Sequence, residues 1–324
     1  MYSNNVLLRR FSKLSVIATI ILIFVGALVK SFEVGLSVPD WPTTYGYQMF
    51  AFPWTDMVGG IFYEHGHRML ATVVGALTLV LAIWLGFRES RKSIKILGYT
   101  ALALVIIQGL LGGLTVLFYL PTIISLLHGV IAQTFLLILI FIAFLLSKEF
   151  SNHSFEEDLN KKYILWLLSV IYIQLIIGAW MRHTNSGLAI FDFPLTAEYW
   201  IPMFNNEMLT VINDWRFEVD LPDVTLFQVV IHFIHRCNGY IIFGLAGLLG
   251  YKFLKDKNRC SKRIINNVYL ILTLVVLQII FGAFAIWTLK GPVITSIHVV
   301  NGAAVMGATF LLLLRMSDLT LLKN

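Results

Sequence analysis

Apolar residues occur along this chain in eight long runs, which are separated by short polar turns and by two longer polar segments. Each run has the length of about 20 residues that crosses the hydrocarbon core of a bilayer as a helix. Unpaired backbone amides are not tolerated in lipid, and the runs lack the two-residue alternation of a membrane barrel, so helices are predicted. The fold class is therefore all-α, a polytopic membrane protein of eight transmembrane helices. The predicted spans lie near residues 14–32, 66–87, 96–118, 121–147, 163–181, 226–252, 266–289 and 293–314.

The composition of the chain excludes a soluble globular domain. Hydrophobic residues make up 58% of the chain and charged residues only 13%, which leaves the membrane as its solvent. The first run follows Arg9, Arg10 and Lys13, as in a signal peptide, but no small-residue cleavage site follows it. We therefore expect the first span to be retained.

The two cysteines, Cys237 and Cys260, fall within a span and on the predicted cytoplasmic side, so an outer disulfide is not expected.

The positions of Lys and Arg predict the orientation of the spans. These residues cluster at the amino terminus and in the turns after the second, fourth and sixth spans, all on one side of the membrane. The opposite side carries most of the Asp and Glu residues, with Arg216 and Lys290 as minority cations. By the positive-inside rule, both termini are cytoplasmic. This asymmetry explains the net charge of +6 without a nucleic-acid partner, and the short amino terminus without an Arg- and Ser-rich transit stretch favours a bacterial cell membrane.

An internal repeat relates spans one to four to spans five to eight. The matched positions are 152 residues apart in the first outer loop, 168 apart at the second span and 170 apart further on, which indicates an insertion around residues 198–220. We predict a tandem duplication, with an amino-terminal four-helix bundle over residues 1–150 and a carboxy-terminal one over residues 151–324. Identical pairs include Gly26 and Gly178, Asp40 and Asp192, Pro42 and Pro194, His67 and His235, Gln108 and Gln278, Gly112 and Gly282, and His128 and His298.

One histidine lies in the outer part of each even-numbered span: His67, His128, His235 and His298. Ionisable side chains inside membrane spans usually mark a functional site. Pairing within each half joins His67 to His128 and His235 to His298, and each pair suits a six-coordinate haem iron held between facing helices. Zinc fits less well, because structural zinc sites use four ligands and no cysteine is nearby. A buried histidine bonded to a backbone carbonyl is the structural alternative at each position.

The neighbours of these histidines differ between the halves. Arg68 and Arg236 each follow a candidate ligand, where a guanidinium can reach the outer headgroups or pair with a haem propionate. Three residues before the ligand, the first half has Glu64 and the second half has His232, on the same helix face as the ligand. A carboxylate beside a haem can take up protons or stabilise positive charge on a reacting carbon, and it can also merely cap the span. We infer chemistry in the first half and electron transfer in the second.

An ordered set of motifs runs through both halves. It consists of the run GLSVPDWP at residues 35–42, Glu64-x-x-His67-Arg68, His128, His235-Arg236 and His298. Together these motifs resemble the haem A synthase family of bacterial and mitochondrial respiratory membranes, over nearly the whole chain. The resemblance implies oxidation of the C8 methyl group of haem O to a formyl group through an alcohol, which gives the haem A of cytochrome oxidases.

The resemblance also implies roles for individual residues. His67 and His128 would hold the substrate haem O, Glu64 would match the family's functional glutamate, and His235 and His298 would hold a permanent haem b that transfers electrons. Many bacterial members carry a cysteine pair in the first outer loop, whereas residues 33–63 contain none, which excludes a thiol role there. The expected partners are membrane lipid, haem O synthase and cytochrome oxidase assembly components, with a homo-oligomer as a further option.

Two other functions stay open on the sequence alone. A dihaem quinol or ferric reductase would use similar sites, but electron transfer across the bilayer needs haems toward both faces, and all four histidines lie at the outer end. A haem-binding transporter would also be duplicated, yet transporters favour inverted repeats or broken helices. The long outer loop over residues 183–225 could cover the second haem, touch a partner or lie on the membrane.

Overall fold

The computed structural model describes residues 5–151 and 161–323 as an all-α protein. Eight of its helices are long and apolar enough to cross a membrane, as predicted. The chain is therefore a multi-pass membrane protein. In chain order, the helices are α1 (Val6–Ser31), α2 (Gly60–Arg88), α3 (Lys92–Leu117), α4 (Thr122–Leu145), the short α5 (Lys148–Ser151), α6 (Lys161–His183), α7 (Asn206–Glu218), α8 (Leu226–Lys255), α9 (Lys262–Trp287) and α10 (Pro292–Arg315).

Several spans extend beyond their predicted ends. Helix α1 begins at Val6 rather than near residue 14, and α2 begins at Gly60 rather than near residue 66. Apolar runs mark only the segment inside the hydrocarbon, whereas a helix continues into the headgroup layer when its cap permits. The side chain of Asn5 provides such a cap by accepting a hydrogen bond from the backbone N–H of Leu8 at 3.1 Å.

The helices form two rings of four. Helices α1 to α4 contact one another in sequence, and α1 also contacts α4; α6, α8, α9 and α10 repeat this arrangement. The two rings meet through contacts of α1 with α10 and of α4 with α6 and α10. Helix α10 is consequently the most buried of the eight spans. This packing is consistent with two pseudo-symmetric bundles, although the linker over residues 152–160 lies outside the described residues and the boundary at 150 stays a prediction.

The end of the bundle that carries the termini is packed around apolar residues. Leu8, Leu85, Ile94, Leu139 and Leu145 are almost fully buried in one cluster of the first half, and an equivalent cluster fills the second half. The opposite end carries the long loops and is called the outer end below; buried polar residues occur at both ends. The candidate ligands belong to this outer end.

The two outer loops share one local geometry. Each contains a cis peptide bond before proline, at Pro42 and at Pro194, and each has an isolated β-bridge between two residues three positions apart. The bridges join Thr44 to Tyr47 and Thr196 to Tyr199, again 152 residues apart. This agreement is consistent with the tandem duplication.

The extra sequence of the second loop contains the amphipathic helix α7. Its buried residues Met208 and Ile212 pack in a cluster with Ile190 and Val229, so α7 covers the second loop and the start of α8. Arg216 holds α7 against the second loop by donating a hydrogen bond to the backbone carbonyl of Leu188 at 2.9 Å. The insertion is thus a folded part of the outer end.

Candidate functional site

The four candidate histidines lie on helices at opposite corners of the two rings. His67 and His128 belong to α2 and α4 in the first ring, and His235 and His298 belong to α8 and α10 in the second. In every case Nδ1 is buried and has no hydrogen-bond partner among the described residues. Buried polar atoms are normally satisfied, so four unpaired imidazole nitrogens point to a bound group. The rings of His128 and His298 approach the backbone of Gln108 and Gln278, so a bond to a backbone carbonyl stays the structural alternative there.

A glycine on a neighbouring helix lies against each imidazole. At Gly26, Gly178 and Gly282 an added Cβ atom would press on the ring, whereas at Gly112 it would make an ordinary van der Waals contact. Measured from an ideal Cβ to Cε1 of the ring, the distances are 2.8 Å for Gly26 and His67, 3.4 Å for Gly112 and His128, 3.2 Å for Gly178 and His235, and 3.1 Å for Gly282 and His298.

The second pair of histidines fits a haem iron. The ring centroids of His235 and His298 are 6.3 Å apart. Two imidazoles that each bind one metal ion at about 2 Å have centroids roughly 6 Å apart. Both rings line a cavity of about 340 Å³, which lies in the usual range for cofactor pockets. The residues present therefore suit a bis-histidine haem.

His235 is held by a pair of amide side chains. Gln174 Nε2 donates to the backbone carbonyl of His235 at 2.9 Å and lies 3.3 Å from its ring Nε2. Asn238 Nδ2 in turn donates to Gln174 Oε1 at 2.8 Å. We call this Gln–Asn arrangement an amide clamp. The clamp fixes the backbone of His235 through its carbonyl and brings an amide N–H to one ring nitrogen, so a side chain of α6 sets the position of this imidazole.

His298 has an amide clamp of the same design. Gln278 Nε2 donates to the backbone carbonyl of His298 at 3.0 Å and lies 3.3 Å from its ring Nε2. Asn301 Nδ2 donates to Gln278 Oε1 at 2.6 Å. Both candidate ligands of the second half are thus held by neighbouring helices.

The first half lacks these clamps. At the positions equivalent to Gln174, Asn238 and Asn301, the repeat places Leu22, Leu70 and Ile131. The one clamp residue that the first half keeps is Gln108, the counterpart of Gln278. The buried Nε2 of Gln108 has no hydrogen-bond partner among the described residues. The first pair of histidines therefore lacks the amide network that holds the second pair.

Arg68 holds the first outer loop against α2. Its Nη1 donates to the backbone carbonyl of Asp40 at 2.7 Å and of Thr43 at 3.1 Å, and its Nη2 donates to that of Val38 at 2.7 Å. The same Nη2 donates to Glu64 Oε1 at 2.6 Å. This arrangement differs from the predicted reach toward the headgroups, because the loop carbonyls offer buried acceptors closer than the membrane surface.

Arg236 binds the second outer loop at the equivalent carbonyls. Its Nη2 donates to Ile190 at 3.2 Å and to Asp192 at 2.7 Å, and its Nη1 donates to Leu195 at 2.7 Å. The expected reach toward the headgroups is absent here too. Contact of Arg68 or Arg236 with a haem propionate stays a prediction.

Glu64 and His232 are equivalent in space as well as in sequence. Glu64 Oε2 accepts the backbone N–H of Val38 at 2.9 Å, and His232 Nδ1 accepts that of Ile190 at 3.2 Å. His232 Nε2 accepts from Arg236 Nε at 3.3 Å, as Glu64 accepts from Arg68. Both side chains are only 3% exposed. The halves therefore share one scaffold and differ by a negative charge.

Asp40 closes a turn of the first outer loop through its side-chain carboxylate. Its carboxylate accepts the backbone N–H groups of Tyr45 at 2.8 Å and Gly46 at 2.9 Å and the hydroxyl of Thr43 at 2.5 Å. Burial acts against the charged form, but these hydrogen bonds outweigh it and hold the pKa of Asp40 below its ordinary value. The loop that contacts Glu64 is therefore fixed at neutral pH.

Comparison with known proteins identifies the family. A family model for cytochrome oxidase assembly proteins, COX15-CtaA, matches residues 9–310. The chain belongs to this family.

Individual relatives of this family member carry the name Heme A synthase. The protein from Halalkalibacterium halodurans is 30% identical over 203 residues, which are 61% of this chain and 67% of that protein. The one from Alkalihalophilus pseudofirmus is 28% identical over 193 residues, 58% of this chain and 64% of that protein. The one from Staphylococcus haemolyticus is 24% identical over 303 residues, which are 90% of each chain. The aligned part thus spans about two thirds of the first two relatives and most of the third.

Sequence reasoning missed several residues that surround the histidines in this family member. Gly112 and Gly282 appeared as identical pairs of the repeat without an assigned role, and that identity was the available signal. Asn238 and Asn301 gave no such signal, because their counterparts are apolar. Lys30 lines the cavity of the second half although it belongs to the first, which no comparison of halves could reveal.

Proposed function

We propose that this chain is a haem A synthase, an oxidoreductase that converts haem O to haem A. The family match and the relatives named Heme A synthase support this function. In the reaction, the C8 methyl group of haem O is oxidised to a formyl group, with an alcohol as the intermediate. The finer assignment of residues rests on the difference between the two halves.

The contrast between the two pairs of histidines carries the assignment of roles. His235 and His298 have amide clamps and line a cavity, as suits a resident haem b that supplies electron transfer. His67 and His128 lack the clamps, as suits a substrate that must enter and leave. We therefore place haem O between α2 and α4 and haem b between α8 and α10.

Glu64 supplies a fixed negative charge beside the substrate position. It lies one helical turn from His67, and each of its oxygens already accepts a hydrogen bond, from Val38 N–H and from Arg68. A carboxylate held in this way can stabilise positive charge that develops on a reacting carbon. Its hydrogen bonds to the loop also position the residues that cover the site.

Co-expression with a haem O source, followed by chromatography of the extracted haems, tests the function. Haem b together with haem O or haem A is expected from the purified wild-type chain. Haem b alone would contradict the synthase and favour the reductase, and an absence of haem would favour transport. The wild-type membrane fraction without the haem O source is the control, and it should yield no haem A.

Substitution of Glu64 tests the role of its charge. Glu64→Gln keeps an acceptor for Val38 N–H but removes the negative charge, and Glu64→His introduces the residue that the second half carries. Both variants should fold and bind haem, yet accumulate haem O or its alcohol, with a loss of activity of about 100-fold or more. Undiminished haem A from either variant would remove Glu64 from the mechanism. His232→Gln, the equivalent change in the second half, should leave haem O oxidation less affected.

A further inference from the structure

A group of cationic side chains lines the cavity of the second half at its outer end. The charged residues of the cavity wall are four cations and one carboxylate, Glu33. One cation, Arg236, is bound to loop carbonyls. The other three are Lys30 and Arg182, near the ends of α1 and α6, and Lys290, in the turn between α9 and α10. We call these three the mouth cations.

One carboxylate, that of Glu33, acts electrostatically on Lys30, but the mouth cations form no close ion pair among the described residues. None of them has a carboxylate oxygen within the 4.0 Å of an ion pair in this part of the chain. Arg182 Nη2 donates instead to two neutral acceptors, the carbonyl of Ala27 at 2.6 Å and the hydroxyl of Ser31 at 3.0 Å. Three partly buried positive charges that share one nearby carboxylate are unfavourable, so the mouth of the cavity favours a bound anion.

We propose that the mouth cations bind the propionate carboxylates of the haem held between His235 and His298. The proposal rests on the proposed function, which puts a haem in this cavity. A carboxylate accepts charge-assisted hydrogen bonds from ammonium and guanidinium groups, which are the strongest that the protein can offer it. Because the cations and both histidines line one cavity, a single ligand can contact both sets.

Lys30 makes the first half part of the second haem site. It lies on α1, whose end is tied to the second half by the hydrogen bond from Ser296 Oγ to Ser31 Oγ at 3.0 Å. Helix α4 also contributes Gly129 and Gln133 to the cavity wall. The bound haem therefore contacts helices of both rings, and its loss should weaken the contact between the halves.

Haem retention by the full-length, haem-loaded chain tests the proposal. The variants are Lys30→Met, Lys290→Met and the double substitution, with transfer of haem to excess apomyoglobin and the midpoint potential of the haem as readouts. The double variant should lose haem at least about fivefold faster. Its midpoint potential should fall, because loss of positive charge disfavours the reduced haem. Lys30→Arg should retain wild-type behaviour, and so should the matched control Lys92→Met, which is exposed at the opposite end of the bundle.

A second experiment uses the dimethyl ester of protohaem, whose propionates carry no charge. Reconstituted into the haem-depleted full chain, it should bind the wild type more weakly than protohaem and bind the double variant without a further loss. Equal binding of ester and protohaem by the wild type would overturn the proposal, as would unchanged haem loss and potential in the double variant. A wild-type chain that purifies without haem would contradict the proposed function itself, so the two failures are distinguishable.

Discussion

At the scale of single residues, the contact between imidazole and glycine accounts for four glycines that helix propensity disfavours. Glycine inside a helix is less favourable than alanine by about 1 kcal/mol. Each of the four lies within a membrane span beside a candidate ligand, and at Gly26, Gly178 and Gly282 an added methyl group would force the ring to shift. These glycines therefore make room for the imidazole rings, at a cost in the stability of the helices that contain them.

Substitution of Gly282 separates these two effects. In Gly282→Ala the new Cβ would lie 3.1 Å from Cε1 of His298, so the ring must shift while the helix gains propensity. We expect the haem-depleted chain to unfold at an unchanged or higher temperature than haem-depleted wild type, whereas the haem-loaded chain contains less haem b or shows an altered haem spectrum. Circular dichroism during heating and the haem-to-protein ratio measure the two quantities.

The control for this prediction is Gly244→Ala in α8, since no atom lies within 4 Å of an added Cβ there. It should share the gain in helix propensity and keep the wild-type haem spectrum. If Gly282→Ala also keeps the full haem content and spectrum, the close contact with His298 has no functional meaning.

At the scale of elements, the same loop and helix arrangement occurs twice with different chemistry in it. In both halves an arginine binds three loop carbonyls, and the residue four positions earlier accepts a loop amide. This scaffold holds the loop whether the acceptor is Glu64 or His232. The duplicated elements therefore allow one half to change its function while the fold stays constant.

The amide clamps give a prediction at this scale. Asn238→Leu and Asn301→Ile each place the residue of the first half in the second, which removes the donor to Gln174 or Gln278. The glutamine then loses its orientation, and haem affinity should fall about 10–100-fold, as for other partners of metal-binding histidines. Transfer of haem to apomyoglobin from the full-length variants measures the change.

Asn266→Leu provides the matched control for both substitutions. Asn266 is exposed near the start of α9, so its replacement makes the same chemical change away from the histidines. Haem retention equal to wild type in all three variants would mean that the clamps do not distinguish a resident haem from an exchanging one.

At the scale of the whole molecule, the features that the sequence predicts well are those with a strong physical signal. Length and hydropathy identified all eight spans, because lipid imposes one solution on long apolar runs. The internal repeat singled out four histidines as candidate ligands, one in each even-numbered span. The partners of Arg68 could not be predicted, since loop carbonyls leave no mark on the sequence. Lys30 was missed because the second cavity is completed by the first half, a contact that exists only after the two rings pack.

The distribution of Lys and Arg predicts how the whole molecule is oriented in the membrane. The end that carries the termini also carries most Lys and Arg residues, so the positive-inside rule predicts that it faces the cytoplasm. In a background with Cys237→Ala and Cys260→Ala, Thr55→Cys puts a thiol on the first outer loop and Asn258→Cys puts one at the other end. Both positions are exposed. A membrane-impermeant maleimide should label the first in intact cells and the second only after the cells are opened.

The outcome of this labelling also bears on where the two haem sites lie. All four histidines and the mouth cations are at the end that Thr55 marks, so labelling of Thr55→Cys in intact cells puts both sites near the outer surface of the membrane. Two sites near one surface cannot carry electrons across the bilayer on their own, which fits oxidation of a membrane-bound substrate better than transmembrane reduction. The reverse labelling pattern would place the sites at the cytoplasmic surface and contradict the orientation that the charges predict. Equal labelling of both variants before and after the cells are opened would mean that the chain has no fixed orientation.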